Sequence, residues 1–192
     1  PGSRTIELAL VRFRSTSLNP GRPIVYLAGG PGGSGIVTAR GSRFPLFMAM
    51  RALGDVIALE QRGVGQSEPN LECPQTYTLP LDRAMTRDLE SKLMADSVRA
   101  CAEYWRRQGV DLAAYNTEEN ADDLVSVADA LGAPKLRLWS ISYGTHLALA
   151  TIRRHPERID RAILAGIEGP DQTLKLPSNT GGLLERVGSL AA

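Results

Sequence analysis

The sequence has no run of about 18 apolar residues, which excludes a transmembrane helix. Histidine is almost missing: only His146 and His155 occur. Cysteine is equally scarce, with Cys73 and Cys101 alone, so a four-thiolate zinc site is excluded. Neither an HExxH nor a Cys-x-x-Cys motif is present, and a metal site has little support. An excess of one charge is also lacking. The 22 Lys and Arg balance 21 Asp and Glu, for a net charge of +1. Nothing in that balance argues for nucleic acid or an anionic membrane as partner. Lysine is limited to Lys92, Lys135 and Lys175, and the scattered arginines reflect genome composition rather than a basic patch.

What remains is ordinary globular composition, 43% hydrophobic and 22% charged over 192 residues. That length suits one domain or slightly more, with a sizeable core. The chain opens Pro1-Gly2-Ser3-Arg4, without Met or a signal-peptide pattern, as expected of a mature or trimmed product.

Glycine and proline cluster at the ends of apolar runs. Residues 6–13 alternate apolar and polar and read as a strand near a sheet edge. Residues 23–28 (PIVYLA), 55–59 (DVIAL), 136–139 (LRLW) and 161–166 (RAILAG) read as four strands buried on both faces. Helices are expected between them: one through Phe44 to Leu53, one over about 82–108, one from an N-cap at Thr117 to Leu131 before Gly132, and one over about 145–155. This alternation predicts an α/β protein with a doubly wound, mostly parallel sheet. Past Gly169-Pro170 the character changes to a linker and the start of one helix.

Two loops carry chemistry. Ser142 stands between a buried strand and a helix, with Ser140 two before it and Gly144 two after. This is the G-x-S-x-G nucleophile elbow with serine at the first glycine. Small residues are needed there because the turn brings strand and helix together. A tight strand-to-helix turn without reactivity is the bland alternative. The loop from Gly29 to Gly35 admits two readings. Its backbone N–H groups could converge on a developing oxyanion. Alternatively, Gly30-x-Gly32-x-x-Gly35 is a dinucleotide fingerprint, with Glu60, 25 residues on, as the ribose acid. Pro31 removes one N–H from that phosphate cradle, and the nucleotide reading leaves Ser142 unexplained.

The blocks GGPGGSG, EQRGVGQSEP, YNTEENADDLVSVADALG, LWSISYGTHLALA and RHPERIDRAILAGIEGP, in that order, resemble the α/β-hydrolase fold. The nearest branch is the proline iminopeptidase and tripeptidyl aminopeptidase type. The resemblance spans about residues 6–190. It implies a serine hydrolase without a cofactor, acting on a peptide near its free N-terminus or on ester and amide substrates. By position, Ser142 matches the nucleophile, and the backbone N–H groups of Gly32 and Tyr143 match the oxyanion hole. The Glu60-Gln61-Arg62-Gly63 block matches a structural DQRG, in which Arg62 is expected to tie loops together.

The resemblance also implies an incomplete core. Residues 1–170 correspond to its N-terminal part, with a helical insertion at about 82–108, and 171–192 to the start of a lid. The family's catalytic acid and His belong to later strands. His155 lies 13 residues beyond Ser142, about 20 Å away along one helix, and His146 is expected to point along that helix's flank. Both read as partly buried structural histidines, which leaves Ser142 without a base. The open sheet edge is expected to be covered by a complementing C-terminal segment or chain. A non-catalytic remnant that binds ligands or a partner is the alternative, and a nucleotide-binding protein a third. Glu168 is a candidate contact for a substrate's α-amino group, or a solvated loop acid. Asp171 is a weaker candidate for the triad acid. For Cys73 and Cys101, two free thiols are the bland reading. The resembling branch is largely exported and implies a bridge between them, and with it an extracytoplasmic rather than cytoplasmic location.

Overall fold

The computed structural model describes residues 5–74, 78, 81–82, 84–171 and 177–190, the side chains of 177–180 excepted. Its elements are β1 (Leu10–Phe13), β2 (Gly21–Leu27), α1 (Gly35–Arg40), α2 (Phe44–Met50), β3 (Gly54–Leu59), α3 (Arg87–Arg107), α4 (Thr117–Ala130), β4 (Leu136–Ile141), α5 (Tyr143–Arg154), β5 (Ile159–Ala165) and α6 (Pro177–Ser189). The five strands form one sheet in the order β1-β3-β2-β4-β5. Only β1 is antiparallel to its neighbour; β3, β2, β4 and β5 run parallel.

Side-chain alternation along the strands builds two cores. Val25 and Leu27 of β2, with Ile57, Leu59 and Leu138, meet Leu124 of α4 and Leu147 of α5. Ile24 and Tyr26, with Val56, Ala58 and Trp139, meet Ile36 of α1 and Phe47 of α2 on the opposite face. Tyr26, Phe47 and Trp139 pack edge-on or tilted with centroids 4.8–5.1 Å apart. Complete burial of a side chain the size of Phe47 contributes about 2–3 kcal/mol.

Several expectations are corrected. The single helix expected at Phe44–Leu53 is preceded by α1, and Gly41 separates the two. The insertion helix begins at Arg87 rather than near 82, where the Thr86 hydroxyl accepts from Leu89 N–H. It has no buried residue; Val98 is exposed, and Leu89, Leu93 and Trp105 are half-buried. The N-cap of α4 is Asn116, whose side chain accepts from Glu119 N–H, not Thr117. The sequence also predicts a proline-rich loop over residues 68–81, of which 75–77 and 79–80 lie outside the described residues. The largest correction concerns β5. Its apolar sequence predicts burial, yet Ile163 is 54% exposed. The physical reason is position: among the described residues β5 pairs with β4 alone and forms the sheet edge.

Cys73 and Cys101 form a disulfide, with S–S 1.97 Å and Cα–Cα 5.3 Å. The bridge ties α3 to the loop that follows the EQRG block, as the resemblance implied. Among the described residues no helix is long and apolar enough to cross a membrane, and no His, Cys, Asp and Glu cluster has metal-site geometry.

Candidate active site

Strand β4 delivers the chain to Ser142, and α5 leaves it at Tyr143. Ser142 has φ +53° and ψ −128° and is the one described residue other than glycine with positive φ. Such a conformation is strained for a residue with a Cβ. It is over-determined by the packing around it. Ser142 N–H donates to Ala165 O on β5 at 3.0 Å, and Thr145 N–H returns to Ser142 O at 2.7 Å. A Cβ at Gly144 would lie 2.2 Å from Leu27 O, so only glycine lets α5 begin against the end of β2. Ser140 fits the other small-residue position because it is fully buried and its hydroxyl donates to Ile163 O at 3.0 Å.

The glycine-rich loop closes on the same point. A Cβ at Gly29 would lie 2.9 Å from Ser142 Cβ and 3.5 Å from its Oγ. Gly32 has φ +93°, and among the described residues beyond its chain neighbours no heavy atom lies within 4 Å of where its Cβ would be. Tyr143 stands at the first position of α5, where the helix offers its N–H no acceptor. Its ring is buried; its hydroxyl pairs with Thr117 Oγ1 at 2.9 Å.

Glu168 is not the solvated loop acid that was one expectation. It is half-buried, and its Oε1 accepts from Ser142 Oγ at 2.9 Å. Its backbone N–H donates to Thr145 Oγ1 at 2.8 Å, and that hydroxyl donates in turn to Ser142 O at 2.7 Å. Thr145 thus holds the loop after β5 to the elbow. Asp171, by contrast, is exposed and has no hydrogen bond to Ser142 or to either histidine. It lines a cleft of about 420 Å³ with His146, Thr117, Arg153 and Pro170.

Both histidines are engaged away from Ser142. His146 stacks on the Tyr143 ring, and its Nδ1 lies 3.3 Å from Gly169 O. His155 Nε2 lies 2.6 Å from Asp122 Oδ1. Hydrogen bonds to Asp122 from Arg154 and then His155 outweigh burial and hold that carboxyl below its usual range. Arg62 ties loops together as expected. Its Nε and Nη2 grip Asp123 at 2.7 and 2.6 Å, and its Nη1 donates to Ala114 O.

Glu60 is turned inward and is 1% exposed, so it is unavailable to a ribose. Its Oε1 accepts from Ser34 Oγ at 2.5 Å and from Ile36 N–H at 3.2 Å. The neighbouring Gln61 donates to Ala28 O at 3.2 Å. Neither contact was read from the sequence. The signal that could have found them is two consecutive polar residues directly after a buried strand.

These observations define an α/β-hydrolase elbow on an α/β-hydrolase sheet. A model described as the alpha/beta hydrolase fold matches residues 22–187, and the chain belongs to that family. Its similar relatives include a tripeptidyl aminopeptidase of Streptomyces coelicolor, 28% identical over 190 residues, covering 90% of this chain and 33% of the relative. Serine protease Hip1 of Mycobacterium tuberculosis is 29% identical over 177 residues, covering 89% of this chain and 34% of the relative. The chain therefore spans about a third of the length of the curated relatives it matches. Among solved structures, a marine microorganism esterase aligns with TM-score 0.56 at 16% identity, over 98% of this chain and 52% of that one. A Vigna radiata epoxide hydrolase variant aligns with TM-score 0.54 at 16% identity, over 90% of this chain and 38% of the other. These two likenesses concern the fold alone.

Proposed function

We propose that this chain is the nucleophile-bearing part of a serine hydrolase that forms an acyl-enzyme on Ser142. The substrate class is a peptide cleaved near its free N-terminus, with small esters and amides as alternative substrates. The observation that carries the reading is the strained backbone of Ser142 at the β4–α5 turn, with Oγ set free from capping the helix. An N-cap serine ordinarily spends its oxygen on the helix N–H groups. In this reading Ser142 Oγ attacks the scissile carbonyl carbon, and the carbonyl π electrons move to oxygen. The N–H groups of Gly32 and Tyr143 receive that oxyanion. A base supplied from outside this chain, together with the triad acid, takes the Oγ proton and returns it to the departing amine or alcohol as the oxyanion collapses and the C–N or C–O bond breaks, which leaves the acyl group on Oγ until water hydrolyses it. The same C-terminal segment covers the β5 edge. The relatives named as a tripeptidyl aminopeptidase and a serine protease support the peptidase assignment. The Cys73–Cys101 bridge supports an extracytoplasmic location, because such bonds persist in oxidising compartments.

The engagement of His146 and His155 elsewhere favours a second reading for the chain acting by itself, a ligand-binding module without turnover. Fluorophosphonate labelling of the protein as it occurs in its source cells separates the two. The expected adduct maps to Ser142 in the tryptic peptide 138–153 and vanishes in Ser142→Ala. Hydrolysis that survives Ser142→Ala, or a native protein whose peptide 138–153 carries no adduct, overturns the first reading.

A further inference from the structure

The glycine loop between β2 and α1 has little to hold it in shape. Residues 29–33 carry no side chain except the ring of Pro31, so only backbone contacts, such as that of Gly29 with Ser142, and the ends of the loop can fix them. One hydrogen bond is internal, Gly33 N–H to Gly29 O at 3.0 Å. Among the described residues, Gly32 meets nothing beyond its chain neighbours on the side where its Cβ would be. Its position is inherited from the two ends of the loop.

Both ends are gripped by consecutive side chains from the end of β3. At the start, Gln61 Nε2–H donates to Ala28 O at 3.2 Å. At the finish, Glu60 Oε1 accepts from Ser34 Oγ–H and from Ile36 N–H. Both residues are buried, at 1% for Glu60 and 5% for Gln61. The Glu60 backbone is itself locked: its N–H donates to Ala9 O at 2.9 Å, and its carbonyl accepts from Ser67 Oγ at 3.0 Å. Gly65 is pressed so closely on the carboxylate that a Cβ there would lie 2.4 Å from Oε2.

One feature sets Glu60 apart from a residue selected for packing. Its Oε2 is buried with no hydrogen-bond partner among the described residues. Such an oxygen opposes folding, and an apolar side chain would avoid that cost. What an apolar side chain cannot supply is the double acceptor for Ser34 and Ile36. Rules of local stability are broken at functional sites, where another gain offsets the loss.

We propose that Glu60 and Gln61 are positioning residues for the oxyanion site. They act through the glycine loop, presenting the Gly32 N–H to the substrate oxygen on Ser142. This rests on the serine-hydrolase reading above. A loop free to shift by an ångström loses the alignment that makes a preorganised N–H effective. Because the oxyanion exists only in the transition state, the defect falls on kcat rather than on KM.

The test uses the native full-length protein, with Glu60→Ala, Gln61→Ala and the conservative Glu60→Gln. Hydrolysis of p-nitrophenyl butyrate is normalised to folded protein by the guanidinium unfolding midpoint. For the two alanine variants we expect kcat to fall about 10- to 100-fold with KM within about twofold of the parent. Inhibition by a trifluoromethyl ketone, whose hemiketal carries an oxyanion, weakens by the same factor. Glu60→Gln retains an acceptor oxygen for Ser34 and Ile36 and recovers most of kcat. If Glu60→Ala does not fold, Gln61→Ala carries the test, since it removes one hydrogen bond. Folded alanine variants with the parent's kcat and inhibitor affinity overturn the proposal. A lower unfolding midpoint with unchanged turnover per folded molecule also overturns it, by making the clamp structural only. If the parent protein takes no fluorophosphonate on Ser142, the serine-hydrolase reading fails instead.

Discussion

Replacing Ser142 by glycine and by alanine separates the strain at the elbow from the contacts of its hydroxyl. Both variants lose the Ser142 Oγ–Glu168 hydrogen bond equally, so that term cancels in the comparison. Alanine keeps a Cβ at φ +53° and ψ −128°, where the strain is about 1–3 kcal/mol. Glycine relieves it, but loses about 0.5–1 kcal/mol more chain entropy on folding. The net expectation is that Ser142→Gly is more stable than Ser142→Ala by about 1 kcal/mol. For a chain of this size that is about 2–4 °C in Tm. Guanidinium unfolding followed by circular dichroism, with equal m-values, reads the difference as a shift in midpoint. The N-cap preference for glycine over alanine acts in the same direction. Equal stability, or alanine above glycine, therefore refutes a strained elbow.

Arg62→Ala removes the partner of a carboxylate whose side chain is only 12% exposed, and a loss of about 3–5 kcal/mol is expected in the same unfolding assay. Arg62→Lys recovers only part, because an ammonium cannot grip both Asp123 oxygens and Ala114 O as the guanidinium does. Burial pushes Asp55 up, but hydrogen bonds from Ser15 N–H and Arg12 outweigh it and hold its carboxyl below the usual range. A depressed carboxyl contributes stability above its unfolded pKa and loses it as pH falls through the folded one. Stability therefore declines from about pH 4 downward, and Asp55→Asn flattens that decline; an unchanged acid profile in the variant contradicts the assignment. Closing a loop of this length by a disulfide is worth about 3–4 kcal/mol to the unit that unfolds with the bridged segment. Because α3 has no buried residue, reduction is expected to act locally. Limited proteolysis with dithiothreitol should cut within residues 87–107 while the core midpoint barely moves. A fall in the core midpoint with α3 still protected would contradict that picture.

The elbow and the sheet strands were legible in the sequence because their determinants are local. Small residues at 140 and 144 reflect contacts that a short turn imposes whatever else surrounds it. The apolar runs of β2, β3 and β4 announce burial on both faces, and the sheet provides it. The start of α3 was less legible, because Thr86 caps a helix whose upstream residues 82–85 (DRAM) suit helix as well as loop. Asn116 and Thr117 are both good caps, and backbone geometry decided between them.

The tertiary structure alone decided the rest, because these outcomes depend on contacts between distant segments. An apolar run such as β5 carries no mark of lying at a sheet edge; strand order makes it one. Glu168 and Ser142 are 26 residues apart, and they meet because β4 and β5 are adjacent and parallel. Glu60 reaches Ser34 by the same logic, through the pairing of β3 with β2. Sequence patterns record which residues must be buried or small. Which carboxylate turns inward, and onto which hydroxyl, is fixed only when the sheet brings the strand ends together.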